Sequence, residues 1–169
     1  MLSSSQASTE DNSKSPIWIQ VSEELPTLQE CYDFCSDPSC GAISSFVGTT
    51  RDNFQSKKVV KLWYEAYIPM AEKEIRKLCM EAMEKYDIRR IVAVHRIGDC
   101  PVEKASVVIV CSSPHRAGSL EGCSYLINEL KAKVPIWKRE TYEEDNGAVW
   151  KENIEWKDGK PKRVMVKEE

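Results

Sequence analysis

The sequence predicts an α+β domain with a mostly antiparallel sheet and two to three helices. Three observations indicate this class. Short segments rich in β-branched and aromatic residues recur between polar turns, which is typical of strands. Two longer segments repeat apolar residues at helical spacing. The sequence contains no internal repeat, so each element is predicted separately.

The first elements alternate between strands and one short helix. IWIQVS at residues 17–22 alternates apolar and polar side chains and predicts a strand. TLQECYDFCSD at 27–37 has apolar residues at helical spacing. CGAISSFVG at 40–48 and KVVKLWYEAY at 58–67 are strand-like, and the polar turn GTTRDN follows the first of them.

The central elements are one long helix and two apolar strands. The helix is predicted at residues 69–86, because its apolar residues form one stripe and Pro69 suits a first helical position. RRIVAVHRIG at 89–98 and ASVVIVCSS at 105–113 are rich in β-branched residues and predict strands.

A second long helix and several strands complete the domain. The helix is predicted from His115 to Lys133, and Pro135 prevents its continuation. IWKRETY at 136–142 then predicts a strand. Trp150, Trp156 and the alternating segment KRVMV indicate short strands near the C-terminus.

The domain limits follow from composition. Residues 1–15 are rich in Ser and Thr and nearly free of apolar side chains, so we expect them to be disordered. Residues 16–169 are predicted to form a single α+β domain. The seven cysteines lack a disulfide or zinc spacing, and no apolar run approaches about 18 residues. We therefore expect a cytosolic chain with free thiols, no metal and no membrane partner.

Charge is distributed unevenly along the chain. Residues 1–50 carry one base and seven acids, whereas residues 51–169 carry 23 bases and 20 acids. The net charge of −3 argues against a nucleic-acid partner bound by bulk charge. The basic excess in the second part suits a small anion or an acidic partner.

Two turns are candidate anion sites. CSSPHRAGS places His115 and Arg116 where a strand leads into a helix N-terminus, whose free N–H groups attract anions. The alternative is an ordinary helix cap with a solvated arginine. GTTRDN places Arg51 after a strand end, where it could bind a phosphate or carboxylate with two hydrogen bonds. The alternative there is an exposed hairpin arginine.

The segment LKAKVPIWKRE, residues 130–140, is the third candidate. Lys131 and Lys133 lie near a helix C-terminus, where complementing the helix dipole would explain one of them. In a strand, Lys138 shares a face with Glu140, and Arg139 points to the other face. A lysine on a partly buried face needs a partner or a function, and it can act as an acid, a base or a nucleophile.

Arg116 and Lys131 lie at opposite ends of one predicted helix, roughly 22 Å apart at 1.5 Å per residue. One small substrate can contact both only if a second copy of the chain supplies one of them. Gly118 and Gly122 would permit two helices to approach closely in such a dimer. The alternative is that these glycines pack against their own subunit.

His95, inside an apolar strand, is interpreted as a core or edge residue.

Five ordered blocks carry a specific family resemblance: GAISSFVGTTRDN, LWYEAYIPMAEKEI, VAVHRIG, SSPHRAGSLEG and LKAKVPIWKRE. From about Cys40 to Trp150 the chain resembles the large, catalytic subunit of molybdopterin synthase. The resemblance implies a hammerhead-like α/β fold and a sulfurtransferase of molybdenum-cofactor biosynthesis, with residues 16–169 as its catalytic domain. It also implies that two sulfurs enter cyclic pyranopterin monophosphate and form the dithiolene of molybdopterin.

The resemblance further implies the partners. The sulfur donor would be a small ubiquitin-like subunit with a C-terminal Gly-Gly thiocarboxylate. Two large subunits would form a central homodimer, with one small subunit at each end of a heterotetramer. Because the sulfur arrives on the partner, no cysteine, cofactor or metal is required.

Site residues follow by position in the matching blocks. Lys131 and Lys138 would be the catalytic lysines. The same positions imply a substrate pocket formed by Thr49, Thr50, Arg51, His115, Arg116, Lys131, Lys138, Arg139 and Glu140. Two competing functions use the same residues: a phosphate-ester hydrolase or transferase, and a non-enzymatic adaptor that binds a ubiquitin-like tail.

Overall fold

The structure is a computed structural model of the 169-residue chain. It describes residues 15–54 and 56–143, and the backbone of residues 149–151, 156–157 and 160–161. Residues 1–14 lie outside the described residues, so the disorder predicted for residues 1–15 stays a prediction, as does the single domain over 16–169. The predicted strand KRVMV also lies outside them.

Three helices and eleven strands make up the described part of the chain. In chain order they are β1 (Ile17–Ser22), α1 (Leu28–Cys35), β2 (Ala42–Thr49), β3 (Asn53–Phe54), β4 (Lys57–Ala66), α2 (Ile68–Tyr86), β5 (Arg90–Arg96), β6 (Gly98–Pro101), β7 (Ala105–Ser113), α3 (Arg116–Lys133), β8 (Ile136–Tyr142), β9 (Val149–Lys151), β10 (Trp156–Lys157) and β11 (Lys160–Pro161). No helix among the described residues combines the length and apolar character needed to span a bilayer.

The first sheet has the strand order β1-β5-β7-β2. The pair β1 and β5 is parallel, and the other two pairs are antiparallel. The second sheet has the order β3-β4-β8-β9, with β6 also paired to β4, and its strands are antiparallel. Strands β10 and β11 form a separate antiparallel pair. The predicted α+β class with a mostly antiparallel sheet is therefore confirmed.

Helices cover both faces of the first sheet. Residues Ile91 and Ile109 share a core with α2 and α3, whereas their neighbours Val92 and Val110 share a second core with α1. Side chains alternate between the two faces of a strand, so a sheet covered on both sides needs apolar residues at successive positions. This arrangement explains why β5 and β7 are apolar almost throughout.

The helix ends have clear local causes. In α1, Thr27 and Glu30 form a reciprocal capping box. Helix α2 begins at Ile68, one residue before the predicted Pro69, and ends at Tyr86, followed by the C-cap residue Asp87 in the left-handed conformation. Helix α3 begins at Arg116 with His115 as its N-cap residue. Both long helices were therefore predicted to within one residue at their starts.

Gly118 and Gly122 pack against their own chain. A Cβ atom at Gly118 would collide with the Tyr86 carbonyl oxygen and the Ser113 hydroxyl, and one at Gly122 would collide with the Ile88 side chain. The structure thus supports the intrasubunit alternative for these glycines. They provide no support for close approach of two α3 helices.

Candidate active site

A cavity of about 560 Å³ lies between the two sheets, beside the last turns of α3. Strands β2, β5 and β7 contribute from the first sheet, and β4 and β8 contribute from the second. The polar and charged side chains of its wall are Thr49, Arg51, Asn53, Tyr64, His95, Ser106, Lys131, Lys138 and Glu140. Three of the four charged groups are cations, so the cavity suits an anionic ligand.

The end of α3 brings Lys131 and Lys138 into the wall of one cavity. The N–H of Val134 donates to the Leu130 carbonyl at 3.0 Å, and Pro135 prevents further helix. The chain then reverses into β8, which lies antiparallel to β4. The helix end and the strand therefore place two lysines seven positions apart beside the same space.

Glu140 is the buried acid of the cavity. Lys138 and Glu140 lie two positions apart on β8, so their side chains share a face. The Lys138 Nζ is 3.3 Å from Glu140 Oε1, and the Glu140 side chain is only 3% exposed. The Tyr142 hydroxyl donates to the other carboxylate oxygen, Oε2. These two contacts hold the carboxylate and orient the Lys138 ammonium.

Thr49 and Arg51 form part of the wall where β2 ends. Thr50 does not line this cavity. Its side chain is buried, and its hydroxyl donates to the Cys100 carbonyl at 3.3 Å. Its backbone also bonds to the turn between β6 and β7, with the Thr50 N–H 3.1 Å from the Lys104 oxygen. The geometry gives Thr50 a role in holding this turn.

Arg139 does not line the cavity, because it points to the other face of β8 from Lys138 and Glu140. His115 and Arg116 do not line it either. Both are exposed at the N-terminal end of α3, whereas Lys131 lies in its last turn. The structure of one chain therefore brings together Thr49, Arg51, Lys131, Lys138 and Glu140, and leaves the other predicted residues apart.

The wall contains a polar group that sequence reasoning missed, formed by Tyr64, His95 and Ser106. The rings of Tyr64 and His95 meet edge to face, with 5.1 Å between centroids. Burial lowers the pKa of His95 to about 4, so the imidazole is neutral near pH 7. Burial likewise raises the pKa of Tyr64. In the sequence, the signal that could have indicated this polar group was one histidine inside an apolar strand.

Cysteines do not contribute to this cavity wall. Burial raises the pKa of Cys35 and of Cys79 to about 12, so both thiols stay protonated. Within residues 15–54 and 56–143, no three His, Cys, Asp or Glu side chains are arranged to hold a metal ion. The polar chemistry of the cavity comes from amines, a guanidinium, a carboxylate, hydroxyls and one imidazole.

The sequence profile of the family described as MoaE protein matches residues 21–133. The chain belongs to the MoaE family. A MoaE relative from Bos taurus, named molybdopterin synthase catalytic subunit, is 53% identical over 142 residues, which cover 84% of this chain and 75% of the relative. The resemblance to the catalytic subunit of molybdopterin synthase is thereby confirmed, and with it an enzyme subunit of molybdenum-cofactor biosynthesis.

Solved structures agree with this family. The crystal structure of molybdopterin synthase from Staphylococcus aureus has a TM-score of 0.73 and 33% identity, and the match covers 82% of this chain and 98% of that one. A complex of subunits 1 and 2 of molybdopterin-converting factor from Helicobacter pylori has a TM-score of 0.64. At 21% identity, with 80% of this chain and 90% of that chain covered, the second match shows the MoaE fold alone.

Proposed function

We propose that this MoaE-family subunit is a sulfurtransferase. It moves sulfur from a C-terminal thiocarboxylate of a small ubiquitin-like subunit to cyclic pyranopterin monophosphate, which gives the dithiolene of molybdopterin. The observation that carries the proposal is the convergence of Lys131, Lys138 and Arg51 in the wall of one cavity. Such a cavity suits a phosphorylated substrate and an anionic thiocarboxylate together.

The lysines supply the acid chemistry of this reaction. When a thiocarboxylate sulfur attacks a substrate carbon, the oxygen that leaves must receive a proton. Water then hydrolyses the thioester that joins the substrate to the partner, so that the sulfur stays on the substrate and the partner is left with a carboxylate. An ammonium group held in a partly desolvated wall can donate that proton and stabilise the developing negative charge. Lys138, held against Glu140, has a fixed position for this task. Lys131 faces the same space from the end of α3.

Arg51 binds an anionic group in this mechanism, because a guanidinium can donate two parallel hydrogen bonds to phosphate or carboxylate. Thr49 and Glu140 contribute further polar contacts in the same wall. We assign His115 and Arg116 to the substrate phosphate, supplied by a second copy of the chain. Thr50 and Arg139 act from outside the cavity wall.

The partners form part of the proposal. The relatives are named catalytic subunits, and one structure of the same fold holds subunits 1 and 2 of molybdopterin-converting factor. By the same organisation, a small ubiquitin-like subunit inserts its Gly-Gly tail into the cavity of this chain. Two large subunits and two small subunits form a heterotetramer.

The product distinguishes this function from a phosphate-ester hydrolase or transferase. The purified chain is incubated with cyclic pyranopterin monophosphate and a thiocarboxylated small subunit. We expect a dithiolene product with its phosphate retained, two sulfurs consumed per product, and none with a carboxylate-ended partner. Release of phosphate without a dithiolene would contradict the proposal and support the hydrolase.

A further inference from the structure

His95 is held rigidly in the wall of the cavity. Its side chain lies in β5 and is only 6% exposed, and the residue faces the space shared with Lys131 and Lys138. Its Nδ1 lies 2.8 Å from the Arg96 carbonyl oxygen, and the Tyr64 ring packs against it edge to face. These two contacts fix the orientation of the imidazole.

The Nδ1 contact determines the tautomer. A carbonyl oxygen can only accept a hydrogen bond, so Nδ1 carries the hydrogen. Because burial keeps the ring neutral, Nε2 then bears a lone pair and can only accept. The contact between Nδ1 and the Arg96 carbonyl therefore makes Nε2 the hydrogen-bond acceptor of the ring.

No group among residues 15–54 and 56–143 donates a hydrogen bond to His95 Nε2. The nearby Ser106 hydroxyl donates instead to the Gly48 carbonyl, at 3.2 Å. The Nε2 nitrogen is not among the fully enclosed polar atoms that lack a partner, and the residue lines the cavity, so a molecule in the cavity can reach it. A ligand that brings an N–H or O–H group to this part of the wall would satisfy it.

We propose that His95 Nε2 accepts a hydrogen bond from an N–H donor of the pterin ring and is a specificity-determining residue of the cavity. The inference rests on the proposed function, since it takes the pyranopterin as the occupant. A pterin ring carries several N–H groups, and a fixed buried acceptor selects ligands that present a donor there. The backbone N–H groups of a glycine tail offer the same chemistry, and the experiment separates the two sources.

Two amide variants separate a role in binding from a role in folding. In His95→Asn, the amide nitrogen can replace Nδ1 and keep the bond to the Arg96 carbonyl, but the acceptor at Nε2 is lost. In His95→Gln, the amide oxygen can reach the place of Nε2, but the bond to the carbonyl is lost. If His95 has a purely structural role, Asn is expected to be the better replacement. Our proposal predicts instead that Gln is the better replacement.

The measurement is kcat/KM for cyclic pyranopterin monophosphate at saturating thiocarboxylated partner. We expect His95→Asn to lower it about tenfold and His95→Gln to stay within about threefold of the wild type. The KM for the partner is expected to remain unchanged in both variants. Equal losses, a larger loss in Gln, or a loss confined to the partner's KM would overturn the assignment.

Direct titration with cyclic pyranopterin monophosphate repeats the comparison without turnover. The Kd of His95→Asn is expected to rise about tenfold, and that of His95→Gln to change little. If the wild type binds the pterin but forms no dithiolene, the proposed function fails while this assignment is still tested. If both variants bind the pterin as the wild type does, the assignment fails while the proposed function stands.

Discussion

At the scale of single residues, the cavity depends on how a buried carboxylate is held. Glu140 lies between the Lys138 ammonium and the Tyr142 hydroxyl, and little of its side chain reaches solvent. A charge in such a place is stable only when it is paired and hydrogen-bonded. The same contacts fix the ammonium that we propose as an acid.

Replacement of Glu140 by Gln is expected to weaken both stability and turnover. The amide keeps the shape of the side chain but removes the charge that holds Lys138. We expect a loss of about 1–3 kcal/mol in the free energy of unfolding, and a fall of about tenfold in the rate of dithiolene formation. Urea unfolding and the product assay measure the two effects.

Glu143→Gln is the matched control for that variant. Glu143 is the next carboxylate along the chain and forms an exposed ion pair with Lys58 at 2.9 Å. Exposed pairs contribute little, so the control is expected to change the free energy of unfolding by less than about 1 kcal/mol. Equal effects of Glu140→Gln and Glu143→Gln would refute the role given to Glu140.

His95 makes stability depend on pH. Its pKa is about 4 in the folded protein, below the value of about 6.5 for an unfolded histidine. Between these values the unfolded chain binds a proton that the folded chain does not. Stability from this group is therefore complete above about pH 6.5, and falls by roughly 3 kcal/mol as pH decreases to about 4.

Urea unfolding of wild type and His95→Gln at pH 7.5 and 5.0 checks this slope. We expect the wild type to lose roughly 2 kcal/mol more than the variant over that interval. Comparing the two proteins removes the contribution of the carboxylates, which both contain. Parallel pH dependences in the two proteins would show that His95 is not buried in its neutral form.

Only part of the cavity was predictable at this scale. The period of two along a strand placed Lys138 and Glu140 on one face, and the structure confirms that arrangement. Tyr64, His95 and Ser106 were missed because they come from strands of two different sheets. Their proximity depends on how the sheets meet, which no local spacing contains.

At the scale of elements, α3 connects the packing of the core to the cavity. Its glycines fit against the last residue of α2, the loop that follows α2 and the end of β7, while its last turn carries Lys131. The long helices were predictable because each repeats an apolar stripe. Strands β3 and β6 were missed, since they are two and four residues long and pair only through β4.

Alanine at the α3 glycines is expected to destabilise the fold, although alanine favours helix by about 1 kcal/mol over glycine. At Gly118 the new methyl group meets the backbone oxygen of Tyr86, which cannot move freely. At Gly122 it meets the end of the Ile88 side chain, which can rotate away. We expect Gly118→Ala to cost about 1–3 kcal/mol, and Gly122→Ala to cost less.

Urea unfolding measures both glycine variants against Ser124→Ala, an exposed position of the same helix. The control is expected to stay within about 0.5 kcal/mol of the wild type. If Gly118→Ala were as stable as the control, the tight packing of α3 against its own chain would be wrong.

At the scale of the whole molecule, the two ends of α3 bear on the shared site that we propose. His115 and Arg116 lie at one end, and Lys131 lies at the other, beside the cavity. The proposed second copy would supply the distant pair to the cavity of its neighbour, as an antiparallel arrangement across a two-fold axis permits.

Mixing inactive subunits tests this arrangement. If Arg116→Ala and Lys131→Ala subunits are unfolded and refolded together, half of the dimers are mixed, and one of the two sites in each is intact. Recovery to about one quarter of wild-type activity is therefore expected. Mixtures of Lys131→Ala and Lys138→Ala should recover nothing, because both lysines belong to the cavity of one chain. Equal recovery in the two mixtures would exclude a shared site.

The most direct test of the central claim is the rate of dithiolene formation at saturating pyranopterin and thiocarboxylated partner. Lys133→Ala is the control, because Lys133 lies in the same last turn of α3 but pairs with Glu129. Lys131→Ala and Lys138→Ala are expected to lower the rate by about 100-fold or more, with partner binding unchanged and the control near the wild-type rate. Wild-type rates in both lysine variants would contradict the account and support an adaptor that only binds the tail.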